Sequence, residues 1–456
     1  MTEQGLGTTP DRRDRSRRPS RRALRLVVPV VLVTAAVAAG AVAVLRDHRE
    51  EYLLDVQEVD GGPAYYDRFS PSLPSDPSQF PIGVWLESVT SEADIRQDAA
   101  AGINLYVGLT EDSDLSLIRD AGMMVIHDLE GKVGEETVGW LVSDEADMWG
   151  GPGEDEWTGR RPGDGDICTP AGGRCGYTVQ TTRLEGLPND NRLRYSNYGK
   201  GVAFWETDEE AARFVNNFQD VVSVDVYWYT DESVCGLGEG GNFFGTEAPI
   251  APAQCHRAAN YGLTVDRVRA LVDPPGSRPV WAFVEVGHPF PDDSFPTITP
   301  EQVRAAVWSS LIHGARGIVY FNHSFGGPCP TQHALRDPCY TDVREEVTRV
   351  NQQVADLAPV LNSPSVQDFV RVDGDVDTLV KLHEGSLYVL AASREQGLAE
   401  VRFSMPCAED SPTVTVLGES RTVPVNGGRF TDSFGDETAV HLYRVDGEPS
   451  CRFSTS

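Results

Sequence analysis

From Phe80 to Asn362 the chain alternates short, uninterrupted apolar runs with amphipathic helical runs, and this rhythm constrains the fold more than any other feature. The apolar runs are FPIGVWL (80–86), INLYVGL (103–109), MMVIHDL (123–129), TVGWLVSDE (137–145), VAFWE (202–206), VVSVDVYWY (221–229), PVWAFVEV (279–286) and GIVYFN (317–322). Stretches such as TSEADIRQDAAAG, DEEAARFVNNF and TPEQVRAAVWSSLIHGA separate them. Continuous rather than alternating apolar strands suit a sheet buried on both faces. Eight such units predict a closed (β/α)8 TIM barrel over residues 80–362. An open doubly wound sheet is the rival, but it normally carries a Gly-rich phosphate loop after its first strand, and WLESVT has none. Thr90 or Ser91 with acids behind, and Thr299 before Pro300 and Glu301, read as helix starts, with Gly102, Gly122 and Gly314 as stops.

The flanks differ in pattern. After Asn362 the runs VQDFVRV, DTLVKLH, SLYVLAAS, AEVRFSM, PTVTVL, RTVPV and AVHLYRV, separated by turn residues, predict an antiparallel β-sandwich over 363–456. Residues 46–79 include PSLPSDPSQ, lack sustained periodicity and read as a stalk. Leu26–Leu45 is a charge-free run of twenty residues. As a helix at ~1.5 Å per residue it matches a bilayer core, so one transmembrane helix is expected at 26–45. A cleaved signal peptide, with Ala36-Val37-Ala38 or Ala41-Val42-Ala43 as its site, is the alternative.

Charge supports that topology. The chain has 39 Lys and Arg against 69 Asp and Glu, a net charge of −30. Eight arginines against three acids before Arg46 leave that segment at +5 and the rest at −35. By the positive-inside rule the basic tail 1–25 is cytoplasmic and everything after the anchor lies outside the cell membrane. So acidic a body excludes a nucleic-acid partner, which needs clustered Lys and Arg. Eight cysteines in local pairs predict disulfides 168–175, 235–255, 329–339 and 407–451, fitting an oxidising exterior.

Two long segments, 146–199 after the fourth strand and 230–278 after the sixth, fall where a barrel builds active sites. The fourth strand ends Ser143-Asp144-Glu145 and the seventh Phe283-Val284-Glu285-Val286. A carboxylate closing an apolar strand is costly without a task. Two opposed carboxylates are what glycoside hydrolysis needs, one as a protonated acid and one as an anion, and no cofactor. Asp144 is the second choice for the acid.

This arrangement resembles the clan of retaining (β/α)8 glycoside hydrolases, whose acid/base glutamate ends strand four and whose nucleophile glutamate ends strand seven. A C-terminal β-sandwich is common there too. The resemblance implies Glu145 as acid/base and Glu285 as nucleophile. The clan usually has Asn-Glu at strand four, the Asn binding the sugar 2-hydroxyl. Here Asp144 stands in that place, able to accept from that hydroxyl but unable to donate.

Further candidates to line a carbohydrate pocket are Trp85, His127, Trp149, Tyr227, Tyr229, His288 and Asn322. Tyr227 or Tyr229 is expected to donate to Glu285. Ordinary packing is the competing role for the aromatic residues, including Trp205, Trp228 and Trp281 on the expected strands. Two other functions compete. One is a non-catalytic glycan-binding barrel; the other is a metal-dependent hydrolase using His127 and Asp128, although no HExxH helix is present. No GxSxG elbow appears. The acidic body favours a neutral oligosaccharide or cell-envelope glycan over a strongly anionic polymer.

Overall fold

The computed structural model describes residues 51–148, 176–409, 411–447 and 452–455. The described residues from Tyr52 onward belong to one compact unit. The run Leu26–Leu45 lies outside the described residues; among those described, no helix is long and apolar enough to cross a membrane.

Eight parallel strands close a barrel: β1 (Ile82–Glu87), β2 (Leu105–Leu109), β3 (Met124–His127), β4 (Thr137–Asp144), β5 (Leu193–Tyr198), β6 (Val221–Val224), β7 (Val280–Glu285) and β8 (Ile318–Phe321), with β8 pairing β1. The helices that follow are α1 (Glu92–Ala100), α2 (Leu115–Asp120), α3 (Gly176–Gly186), α4 (Asp208–Asn217), α5 (Ala259–Leu271), α6 (Pro300–Ile312) and α7 (Thr341–Leu361). Their starts follow side-chain chemistry. Ser91 caps α1 by accepting from the Asp94 N–H while Asp94 accepts from the Ser91 N–H, and Thr299 and Gln302 do the same for α6. Gly102 ends the first helical segment at φ +81°, with so little room that a Cβ there would sit 2.7 Å from Asn351.

One expected strand is corrected. Residues 201–205 form a π-helical turn, and the fifth strand is Leu193–Tyr198. LRYSNY escapes an apolar search because Ser196 and Asn197 are polar yet fully buried. The segment 146–199 is therefore not one long loop: it contains α3 and β5. Trp205 and Trp228 lie outside the strands as well, the former in the π-helical turn and the latter beyond β6.

Alternation sorts the barrel side chains. Leu105, Val107, Ile126, Tyr195, Val221, Trp281, Phe283 and Val319 fill its interior, while Val84, Tyr106, Val222, Val284 and Tyr320 pack outward against the helices. Burying one side chain such as Phe214 of α4 contributes roughly 2–3 kcal/mol. The segment read as a stalk is folded onto this core. Tyr65, Tyr66 and Leu73 join the interior cluster, Tyr66 accepts from Trp281 Nε1 at 3.1 Å, and Tyr65 donates to the Asp220 carbonyl at 2.7 Å.

The C-terminal region forms a seven-stranded antiparallel sheet facing a three-stranded one. In Ser386–Ser393, Leu387, Val389 and Ala391 enter the core between the sheets, while Leu390 and Ala392 pack on the barrel's outer layer. The sandwich takes an edge strand, Val56–Gln57, from upstream, and an unforeseen strand, Arg429–Phe434. Disulfides join Cys235 to Cys255 and Cys329 to Cys339, as expected. Cys168, Cys175 and Cys451 lie outside the described residues, and with them the pairings 168–175 and 407–451.

Candidate active site

Inward-facing positions at the C-terminal strand ends are polar or acidic. The alternation that buries Trp85, Tyr195, Trp281 and Phe283 brings Glu87, Asn197 and Glu285 to the top layer. Asp144 ends β4 opposite Asn197, and Asp225 follows β6 by one residue. Glu285 ends β7 opposite Phe321.

Glu285 is fully buried. Its Oε1 accepts from the Tyr261 hydroxyl at 2.6 Å and the Thr230 hydroxyl at 3.3 Å, while Oε2 has no hydrogen-bond partner. Burial pushes its pKa up to about 7, and the two hydroxyl donors act against that rise. Tyr261 is itself oriented, its oxygen accepting from the Tyr229 N–H at 3.2 Å.

Glu145 follows β4 with φ +49°, a left-handed conformation costing a non-glycine residue about 1–3 kcal/mol. Two backbone bonds hold it there: its N–H donates to the Asn197 carbonyl and its carbonyl accepts from the Met148 N–H, each at 2.9 Å. The side chain lies against Gly199, where a Cβ would meet Oε1 at 3.0 Å. Its pKa is raised well above the usual carboxylate range by burial, then by Asp225, Asp144 and Asp147, with Lys200 acting against them. Lys200 is held by Asp231 at 2.6 Å and Glu239 at 2.8 Å.

Asp144 is the end of a directional chain. Tyr195 bonds the Ser223 hydroxyl at 2.5 Å, Ser223 donates to Asn197 Oδ1 at 2.6 Å, and Asn197 Nδ2 donates to Asp144 Oδ1 at 3.0 Å. Burial lifts Asp144 to about 6. Asp225, also raised chiefly by burial, accepts from the Tyr227 hydroxyl at 3.1 Å. Tyr227 lies in the field of Asp225, Glu145, Asp144 and Glu285 together, so carboxylates from the ends of β4, β6 and β7 all act on its hydroxyl. An aromatic ledge borders it: Tyr227 packs on Phe321 and Phe290, and Phe321 packs on Phe325, which is 48% exposed.

The other expected pocket residues are placed as follows. Trp85 packs on Phe283 inside the barrel, 5% exposed. His127 accepts from the Leu129 N–H and pairs with Thr137, and burial holds it neutral down to about 4. Both His288 nitrogens are engaged, by Thr297 and the Asp292 carbonyl. Asn322 is buried, binding Glu87 through Nδ2 and the Leu335 N–H through Oδ1. Trp149 lies outside the described residues. The expected donor to Glu285 is corrected: Tyr227 serves Asp225, Tyr229 donates to Glu437 at 2.8 Å, and Tyr261 takes the role. Among the described residues, a three-donor group close enough for a metal is Cys235, Cys255 and His256, whose sulfurs are joined as a disulfide.

No family profile matches the chain, and no curated protein matches it by sequence. Solved structures that resemble it include a noncanonic maltogenic α-amylase, AmyB from Thermotoga neapolitana, at 9% identity and TM-score 0.46 over 82% of this chain and 100% of that one. A family 5 glycoside hydrolase from Bacteroides vulgatus has 12% identity and TM-score 0.45 over 81% and 90%. A GH30 endoxylanase from Clostridium papyrosolvens has 11% identity and TM-score 0.37 over 87% and 99%. At such identities and scores these likenesses carry no chemistry across to this chain.

Proposed function

We propose that the protein is a glycoside hydrolase that retains anomeric configuration. What supports this reading is that Glu145 and Glu285, at the ends of β4 and β7, both act electrostatically on the Tyr227 hydroxyl. Glu145 is the proton donor: burial and three neighbouring acids raise its pKa and favour the protonated form. Glu285 is the nucleophile, with Oε1 fixed by two hydroxyls and Oε2 left for the anomeric carbon. Attack forms a glycosyl ester on Glu285 as Glu145 protonates the departing oxygen. Water, deprotonated by Glu145, then releases the sugar. Asp144, fixed by Asn197, is placed to accept from a sugar hydroxyl, and the ledge of Tyr227 and Phe321 offers a CH–π face.

The substrate in this reading is a neutral extracellular or cell-envelope glycan. That location rests on the apolar run Leu26–Leu45, its preceding arginines and the disulfides. The test is a panel of aryl glycosides with the anomer of the first product read by NMR. Retention is expected. Glu285→Ala should lose turnover and regain it with azide, giving the glycosyl azide of inverted configuration. Full activity of Glu285→Ala, or an inverted first product from the unaltered chain, would overturn the mechanism.

A further inference from the structure

At the opposite end of the barrel strands, a cavity of about 220 Å³ lies where the turn between α6 and β8 meets residues 57–60 and the sandwich strand Val376–His383. That is several times the ~30 Å³ share of one water molecule. The lining also carries the carboxylates of Glu58, Asp60, Asp266 and Asp377, and two of these have close basic partners. Arg269 gives Asp60 a two-pronged pair at 2.5 and 3.0 Å. His313 bonds Asp266 at 2.7 Å and lies 3.2 Å from Asp377 without hydrogen-bond alignment.

Two cations are left over. Arg316 is 7% exposed, and its Nε and Nη1 have no hydrogen-bond partner. Lys381 is 3% exposed and donates only to the Ser363 carbonyl, at 2.7 Å. Among the described residues no carboxylate forms an ion pair with either. Two buried positive groups beside one another repel and are poorly solvated, so the empty arrangement is unfavourable. An anion in the cavity removes both penalties, and a guanidinium fork with free N–H groups matches two oxygens of a tetrahedral oxyanion.

We propose that this cavity is a binding site for a small tetrahedral oxyanion of the phosphate or sulfate class, held by Arg316 and Lys381. The occupant ties the α6–β8 turn to the sandwich and stabilises their junction.

Proton linkage gives a signature. Burial, Arg316 and Arg269 lower Lys381 to about 7, while Asp60 and Glu58 act the other way. His313, Asp266 and Asp377 also line the cavity. At pH 8 the empty site therefore holds Lys381 largely neutral, and a bound anion restores its charge. The experiment is calorimetric titration of the full chain with inorganic phosphate, then sulfate, at pH 8 and constant ionic strength in buffers of different ionisation enthalpy. Expected are saturable binding, uptake approaching one proton, and a melting temperature that rises to a plateau. Arg316→Met and Lys381→Met should each weaken phosphate binding ~10-fold or more, and Lys381→Met should abolish the proton uptake. Should Arg316→Met fail to fold, the Lys381→Met titration and the proton count decide. No saturable response to either anion, or unchanged affinity in Lys381→Met, would overturn the proposal.

Discussion

Tyr261 donates a 2.6 Å hydrogen bond to Glu285, joining the first turn of α5 to the end of β7. A phenol proton directed at a carboxylate favours the anion. Its own oxygen accepts from the Tyr229 N–H, which holds it in that direction. Removing the hydroxyl leaves burial unopposed on one side of Glu285. Tyr261→Phe should therefore raise the acidic limb of the kcat/KM profile by roughly one pH unit and lower kcat about tenfold near neutrality. A profile identical to that of the unaltered chain would show that the bond does not set the charge of Glu285.

Glu145 makes two demands that conflict. Its backbone occupies φ +49° and its carboxyl is buried among Asp144, Asp147 and Asp225. Glycine accepts that φ freely and brings no carboxyl. Glu145→Gly should melt a few degrees higher, corresponding to about 1–2 kcal/mol, while losing acid catalysis. Glu145→Gln should slow substrates with poor leaving groups most and aryl glycosides with activated phenols least. Equal losses across that series would remove the acid role from Glu145.

What the sequence made readable were features in which chemistry and periodicity coincide. Glu285 stands out as the one acid in VWAFVE, and Ser91–Asp94 and Thr299–Gln302 are local pairs whose caps need nothing distant. The fifth strand was hidden because its inward side chains, Tyr195 and Asn197, are both satisfied by Ser223 of the neighbouring strand β6, a tertiary bargain no local pattern reports. VAFWE misled for the converse reason. Its side chains are buried by tertiary packing, Phe204 against Trp228 and Phe243, while the Asp147 carboxylate accepts from the Gly199 and Val202 N–H groups and seats a helical turn instead of a strand. Asp225 was missed because the expected strand ran on through it to Tyr229, whereas β6 stops at Val224, and Tyr261 because the segment 230–278 read as a loop and hides the helix α5.

Stability should fall as pH rises towards neutrality. Glu285 titrates at about 7 in the folded chain against an ordinary 4.5, and Asp144 and Asp147 at about 6 against 3.8. Across those intervals the folded chain holds more protons than the unfolded one, so stability is lost as pH rises through them. His127, neutral down to about 4, opposes this below its ordinary 6.5. A variant isolates one group. Glu285→Gln should be more stable than the unaltered chain at pH 7.5 by up to roughly 3 kcal/mol, with the advantage vanishing near pH 4.5. Denaturant melts at both pH values check this, and a constant difference would contradict the raised pKa.

The sandwich reaches the nucleophile side of the site through one carboxylate. Glu437 Oε2 accepts from the Tyr229 hydroxyl at 2.8 Å and from the Ala258 N–H at 2.9 Å. Those two groups flank the path from β6 to Tyr261, whose oxygen receives the Tyr229 N–H. Truncating Glu437 to Ala leaves two buried donors unpaired, costing about 1–3 kcal/mol each before relaxation. It also frees the segment that aims Tyr261 at Glu285. Glu437→Ala should lower kcat several-fold with little change in KM and raise the acidic limb as Tyr261→Phe does, whereas Glu437→Gln, which keeps an acceptor, should restore most of the rate. An Ala variant that unfolds earlier yet turns over at the original rate and pH dependence would confine Glu437 to clamping the sandwich sheet to the barrel.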